Sequence, residues 1–318
     1  MIALPELSRS RPTRSGELSK LAPRTALIGT ADIVPPIGPR LQLVRATLVL
    51  IFVLSFTLLI QLVVVSSLQQ AAAQGRAFDS FRAELAKGTA PIGPTDSAGD
   101  QLAIGRPVAY LEIPTIGLKQ VVGEGTTSGA LFDGPGHRRD SPLPGQVGSS
   151  ILYGRRAAFG GPFARIGELV EGDVITVTTG QGVFTFKVLG VRPEGAPVPE
   201  PPAADEGRLL LVTAAGRSFL PGGVLRVDAA LDGTAVIGPA RQMNASGLPR
   251  EEKVMEGDAR TLWAFALWLQ ALIVLSLGVA WAWHRWGRAQ TWIVFLPPLI
   301  LVGLSASGEA ARLLPNLL

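Results

Sequence analysis

Few side chains in this 318-residue chain can carry group-transfer chemistry. It contains no cysteine, so neither a thiolate nucleophile nor a disulfide is available. Of its two histidines, His284 falls in an apolar C-terminal region, which leaves His137, with Ser141 four residues on. A Ser–His pair of that kind activates the hydroxyl when the imidazole takes its proton. The other candidate nucleophiles are the hydroxyls of Ser150, Thr213 and Ser218, and none has triad-like spacing to a base. Arg155, Arg156, Arg165, Arg217 and Arg226 are candidates to line a groove, the alternative for each being a solvated surface position. A guanidinium does not titrate in the working range, so these arginines bind carboxylates or carbonyls and cannot serve as general bases.

The elements that must position these residues run from Val108 to Leu231. The segments 108–122, 141–163, 172–191 and 209–219 alternate apolar and polar residues between Gly and Pro punctuation, which is how strands that bury one face are written. They predict an all-β barrel over 105–232, with a short helical turn near Pro162–Leu169. The stretch 192–208 is rich in proline and reads as an exposed connection.

The order and spacing of the motifs resemble the sortase family, most closely the actinobacterial class E type. An IP-x-IG strand (Ile113, Pro114, Ile116, Gly117) precedes a GPGH turn (Gly134–His137) and a PLPG turn (Pro142–Gly145). A GRR-x3-G-x-PF segment follows (Gly154, Arg155, Arg156, Gly160, Pro162, Phe163), then GD-x-I (Gly172, Asp173, Ile175) and LLLVT (Leu209–Thr213). The resemblance implies a β-barrel transpeptidase with a catalytic histidine, cysteine and arginine. On this chain it carries those positions onto Arg155, Ala214 and Val224, and it makes His137 a structural turn residue. It implies no cofactor and no metal.

With nucleophile and base both replaced, transpeptidation of the familiar kind is not expected. The expected groove-binding residues are Arg155, Arg156, Thr213, Arg217 and Arg226, with Arg226 two residues past Val224 and so on the same face. A charge at Arg155 needs an acceptor. Either a carboxylate from a neighbouring segment supplies it, for which Asp140, Asp173 and Asp205 are the candidates, or the site is open to a ligand.

Hydrophobic content of 47% predicts membrane spans. Residues 1–45 form a basic, proline-rich tail, read as disordered and cytoplasmic. Residues 46–68, 261–283 and 291–308 are the expected transmembrane helices, the last kinked or broken at Pro297–Pro298. Residues 69–104 are a stalk and linker that let the barrel move relative to its anchor, 233–260 a second linker, 284–290 a cytoplasmic turn and 309–318 a C-terminal tail. Basic residues flank the expected inner side, which puts the barrel on the extracytoplasmic face of a bacterial cytoplasmic membrane. No charge lies in the middle of a span, so nothing supports a transport pathway. The expected partners are the lipid bilayer and an exported or membrane protein or sorting-signal-like peptide, with no nucleic acid.

The leading reading is a non-catalytic, membrane-anchored sortase-like binding or scaffold module. Two alternatives stay open: a cysteine-independent transpeptidase or peptidase using Ser or Thr, and a structural subunit of a membrane complex.

Overall fold

The computed structural model describes residues 41, 48, 51–52, 55–96, 98–217, 219–240 and 242–318, without the side chains of residues 284 and 288. Of the expected tail at 1–45 only residue 41 is described, and Ser218 lies outside the described residues. Two units, Met1–Leu48 and Val49–Leu318, are distinct, and all elements named here belong to the second.

Eight strands close a barrel: β1 (Pro107–Ile113), β2 (Leu118–Glu124), β3 (Gly136–His137), β4 (Gly148–Tyr153), β5 (Val174–Thr179), β6 (Gly182–Pro193), β7 (Gly207–Arg217) and β8 (Leu220–Leu231). The order around the barrel is β1-β2-β3-β4-β7-β8-β6-β5, and β1 closes it against β5. Inward residues include Val108, Leu111, Ile113, Leu152, Ile175, Val177, Phe186, Leu209, Leu211 and Val227, all essentially without solvent exposure. The pleat puts residues i and i+2 on one face. Ile151, Tyr153, Leu210, Val212, Ala214 and Val224 therefore face outward from β4, β7 and β8, yet they too are buried or half-buried. A second layer must cover that outer face.

Among the described residues, three helices are long and apolar enough to cross a membrane: Ser55–Lys87, Ala259–Trp283 and Ala289–Leu313. The first contains a π-turn at Gln61–Val65 and then α1 (Ser66–Lys87); α2 (Leu262–Trp286) and α3 (Arg288–Leu313) form a hairpin near the C-terminus. The small residues of α3 serve two neighbours. Ala306 packs with Leu272 of α2, and a Cβ at Gly303 would lie 3.6 Å from Thr57 of the first helix. The helix runs unbroken through Pro297 and Pro298, contrary to the expected break; this packing on two sides holds it where the missing N–H bonds weaken it.

The expected mobility of the barrel is also corrected. Gln74 of α1 acts as an extra strand residue: its Oε1 accepts from Val121 N at 2.7 Å, while its Nε2 donates to Val121 O at 3.0 Å and Asp133 O at 2.7 Å. A Cβ on Gly134 would come within 2.1 Å of that amide nitrogen, so only glycine admits it. Gln70 bonds Gln120 at 2.7 Å, Phe78 meets Tyr110, and Phe81 is buried. The stretch 233–260, expected to be a linker, is strapped to the barrel as well. Val147 N donates to Val236 O, Leu248 is buried, and Glu252, fully buried, pairs with Arg139 and accepts Thr126 Oγ1 on its backbone oxygen. Composition reads such segments as linkers because their contacts are backbone and single polar side chains, which leave no hydrophobic period.

Gln74→Ala should cost about 1–3 kcal/mol, because it strands a strand-edge N–H that the amide now satisfies. Denaturant titration of the detergent-solubilised chain measures it, and wild-type stability would show that the docking of α1 is incidental.

Candidate functional site

The loop after β4 begins at Gly154, where a Cβ would sit 2.4 Å from the Phe163 ring, so the chain passes close enough to bury the next side chain. Arg155 is that side chain, with no exposed surface. Its Nη2 donates to Ser128 Oγ at 2.7 Å and Ser128 O at 3.0 Å, and its Nη1 to the Leu318 backbone oxygen at 3.4 Å. The guanidinium carbon lies 4.9 Å from the Phe132 ring centroid and 5.1 Å from that of Phe159, two rings stacked at 3.7 Å. Phe159 holds this place at φ 53°, a left-handed conformation rare for a bulky residue, and its N–H is capped by Ser66 Oγ at 3.2 Å.

None of the anticipated carboxylates reaches Arg155. Asp140 binds Arg138, Asp173 accepts from Thr115 and Val170 N, and Asp205 is exposed. Burial pulls the guanidinium down to about 9, still protonated at neutral pH. Among the described residues no Asp or Glu side chain pairs with it; the guanidinium lies beside the stacked ring pair and donates to oxygens of Ser128 and Leu318.

Ala214 and Val224 are register partners on β7 and β8. Both are buried in one cluster with Leu131, Tyr153, Val212 and Leu317. The segment expected to be a C-terminal tail supplies the missing outer layer: α3 continues to Leu313, and Asn316, Leu317 and Leu318 are buried. Arg156 N donates to Leu317 O at 3.1 Å, while Arg156 Nη1 donates to Ala214 O at 3.3 Å. Ser128 Oγ donates to Leu314 O at 3.4 Å. Asn316 Nδ2 donates to Thr126 O and Lys253 O, both at 2.9 Å, and Asn316 N to Glu256 O at 2.9 Å.

Of the expected groove residues, Arg155, Arg156 and Arg226 lie on this face, Arg226 close enough to Tyr153 to pull its phenol down, although burial dominates and pushes that phenol up. Thr213 does not. It shares the inward face of Leu209 and Leu211, is fully buried, and its Oγ1 has no partner. Arg217 is exposed at the end of the β7–β8 hairpin, opposite Leu220, and does not line the site. The residues that sequence reasoning missed are Ser128, Phe132, Phe159, Asn316 and Leu317. The one signal for the last two was apolar leucines around Pro315 just past a helix end, a place where a chain stops being helical and extends.

His137 makes a separate, structural cluster. Its Nδ1 lies 2.9 Å from Glu124 Oε2, and its Nε2 lies 2.9 Å from the Pro142 carbonyl and 3.1 Å from Ser141 Oγ. Ser141 Oγ donates elsewhere, to Arg138 O at 2.7 Å, and accepts from Ile151 N. With an acceptor at each ring nitrogen, the imidazole is held protonated and cannot deprotonate Ser141. Burial lowers its pKa, but Glu124 and the Pro142 carbonyl outweigh that and leave it raised.

Residues 111–216 match the family described as Sortase domain. The barrel is similar to a sortase domain over these residues. A sortase D of Bacillus subtilis is 35% identical over 88 residues, 28% of this chain and 43% of that protein, so the match spans less than half of the relative's length. Among solved structures, a Clostridium perfringens Sortase D5 transpeptidase is 22% identical over 51% of this chain and 99% of its own, with a TM-score of 0.42. Sortase E1 from Streptomyces coelicolor, solved with a tripeptide in the active site, is 22% identical over 42% of this chain and 92% of its own, with a TM-score of 0.36. On this barrel, residues 314–318 lie against the outer face of β7 and β8.

Two measurements check the geometry. Arg155→Met, which replaces the charge by an apolar chain of similar length beside the stacked rings, should be neutral or stabilising, whereas Arg155→Ala should fall below it by about 2–5 kcal/mol; equal loss in both would mean that the charge itself holds the site. For His137, a folded-state pKa above the unfolded value of about 6.5 gives stability that is full below that pH and lost as pH rises through the folded pKa. Melting temperature should decline over that window in the wild type and stay flatter in Glu124→Gln.

Proposed function

We propose that this chain is a membrane-anchored sortase-type protein, class E-like in its motifs, that has given up transpeptidation and acts as a binding or scaffold module on the outer face of a bacterial cytoplasmic membrane. The observation that carries the reading is the packing of Arg155, Ala214 and Val224, the positions that the resemblance assigns to the catalytic trio. An alanine methyl offers no nucleophile. A guanidinium buried beside the stacked Phe132 and Phe159 rings takes no proton from an acceptor amine. The hydroxyl alternatives fare poorly among the described residues, since Ser150 and Thr213 are buried with unpartnered oxygens and no base bonded to them, while Ser141 faces an imidazole that is already protonated.

Anchoring follows from the three apolar helices, and orientation from the basic residues beside the spans. The client is an exported or membrane protein, or a peptide like a sorting signal, and the bilayer is the other partner. Arg226, Arg156 and the half-buried rim around Tyr153 are the polar contacts left on this face.

The purified full chain in detergent, incubated with sorting-signal peptides and an amine acceptor, should yield neither cleaved peptide nor transfer product by mass spectrometry. Turnover that survives purification and disappears in Ser150→Ala or Ser218→Ala would establish the hydroxyl enzyme instead. Protease added to intact spheroplasts should degrade the barrel and spare the N-terminal tail; the reverse pattern would invert the topology.

A further inference from the structure

We infer that the outer face of β7 and β8 is a peptide-binding site, and that the chain's own Leu314–Leu318 segment is its ligand, bound in cis and displaceable. The inference deepens the non-catalytic reading and rests on it. Three sets of contacts carry it.

The first is the mode of binding. Leu314 leaves the helix at φ −70° and ψ 153°, the chain then closes a turn in which Leu318 N donates to Pro315 O at 3.1 Å, and the segment is recognised through its backbone. Ser128 Oγ reaches Leu314 O, Arg156 N reaches Leu317 O, Arg155 Nη1 reaches Leu318 O, and Asn316 N is taken by Glu256 O. Backbone contacts of this kind hold a turn whatever its outward side chains, and a pocket for one side chain supplies the selectivity.

The second is the pocket itself. Leu317 has no exposed surface and belongs to the same buried cluster as Ala214, Val224 and Tyr153. A thiol and a guanidinium at 214 and 224 would make that floor polar and would need partners, whereas a methyl and an isopropyl make it a leucine pocket. The two apolar residues and the leucine are therefore one complementary set, which unselected loss of an active site does not call for.

The third is imperfection. Arg155 Nε and Asn316 Oδ1 are buried without a hydrogen-bond partner. Buried polar atoms left unsatisfied at a contact each cost free energy that a better ligand could recover. A segment evolved only to seal the barrel would leave no donor of a fully buried guanidinium idle beside it.

A tether at the end of α3 gives the cis segment an effective concentration near millimolar, so it outcompetes weak ligands in trans and yields to strong ones. The occupant is thus a peptide turn with a leucine seated on Ala214 and Val224 and an amide side chain one position before it.

The test uses the full chain in detergent micelles and a fluorescein-labelled peptide copying residues 311–318, read by anisotropy. Wild type should bind the peptide weakly. Leu317→Ser, which ejects the segment from the pocket, should bind it at least ten-fold more tightly, and a peptide with serine at the position copying Leu317 should not bind. Should Leu317→Ser fail to fold, Asn316→Ala removes the two anchoring bonds to Thr126 and Lys253 without placing a polar group in the cluster, and the same direction of change is expected. Folded variants that bind no better than wild type, or equal binding of the altered peptide, would overturn the proposal. Concentration-dependent dimers of the wild type that dissolve on adding peptide would assign the contact to a second copy and overturn the cis assignment. Transpeptidation assayed on the same samples keeps the questions apart, since turnover would sink the non-catalytic reading whatever the binding result.

Discussion

A buried guanidinium that no Asp or Glu side chain pairs with among the described residues is the constraint around which this molecule is built. Moving an unpaired charge out of water is costly, and an arginine cannot escape by losing its proton near neutral pH. Arg155 therefore dictates its surroundings: two stacked aromatic faces, a serine hydroxyl with its own carbonyl, and a backbone oxygen from the far end of the chain. Each of those partners recruits something else. Phe159 must adopt a left-handed backbone and borrows Ser66 from the first helix as a cap. Ser128 passes its own proton toward Leu314, which fixes where α3 ends. Barrel, first helix and hairpin thus meet at one point.

That convergence explains why part of the molecule was legible in the sequence and part was not. Strands with one buried face and spans of apolar residues carry a period, and periods survive in a single sequence. The closed barrel and the three long apolar helices follow from them. Thr213 was misplaced even though the period held the answer, since adjacent residues of a strand face opposite sides and Ala214 can lie on the outer face only if Thr213 does not. Arg155 is the opposite case. Its acceptors are a serine 27 residues away and a backbone oxygen 163 residues away, and nothing in residue type marks a backbone oxygen as special. The same holds for the strap at 233–260 and for Gln74, whose amide imitates a strand.

The chemistry of the site shifts in kind when a nucleophile and a base give way to a methyl and a fixed charge. In the proposed reading such a face binds and does not cut: it holds a turn of chain on an apolar floor, with donors along its edge. Rigid attachment to the first helix and to α3 means that whatever occupies this face is felt at the spans. A barrel free on its linkers would have no such coupling.

Closure of the face by residues 314–318 is the claim on which this picture stands, and hydrogen exchange of the full chain in micelles reads it directly. The amides of Arg156 and Asn316, which donate to Leu317 O and Glu256 O, should exchange as slowly as the outer amides of β7 and β8. Exchange of those two amides at the rate of an exposed loop, with β7 still protected, would show that the segment does not occupy the site.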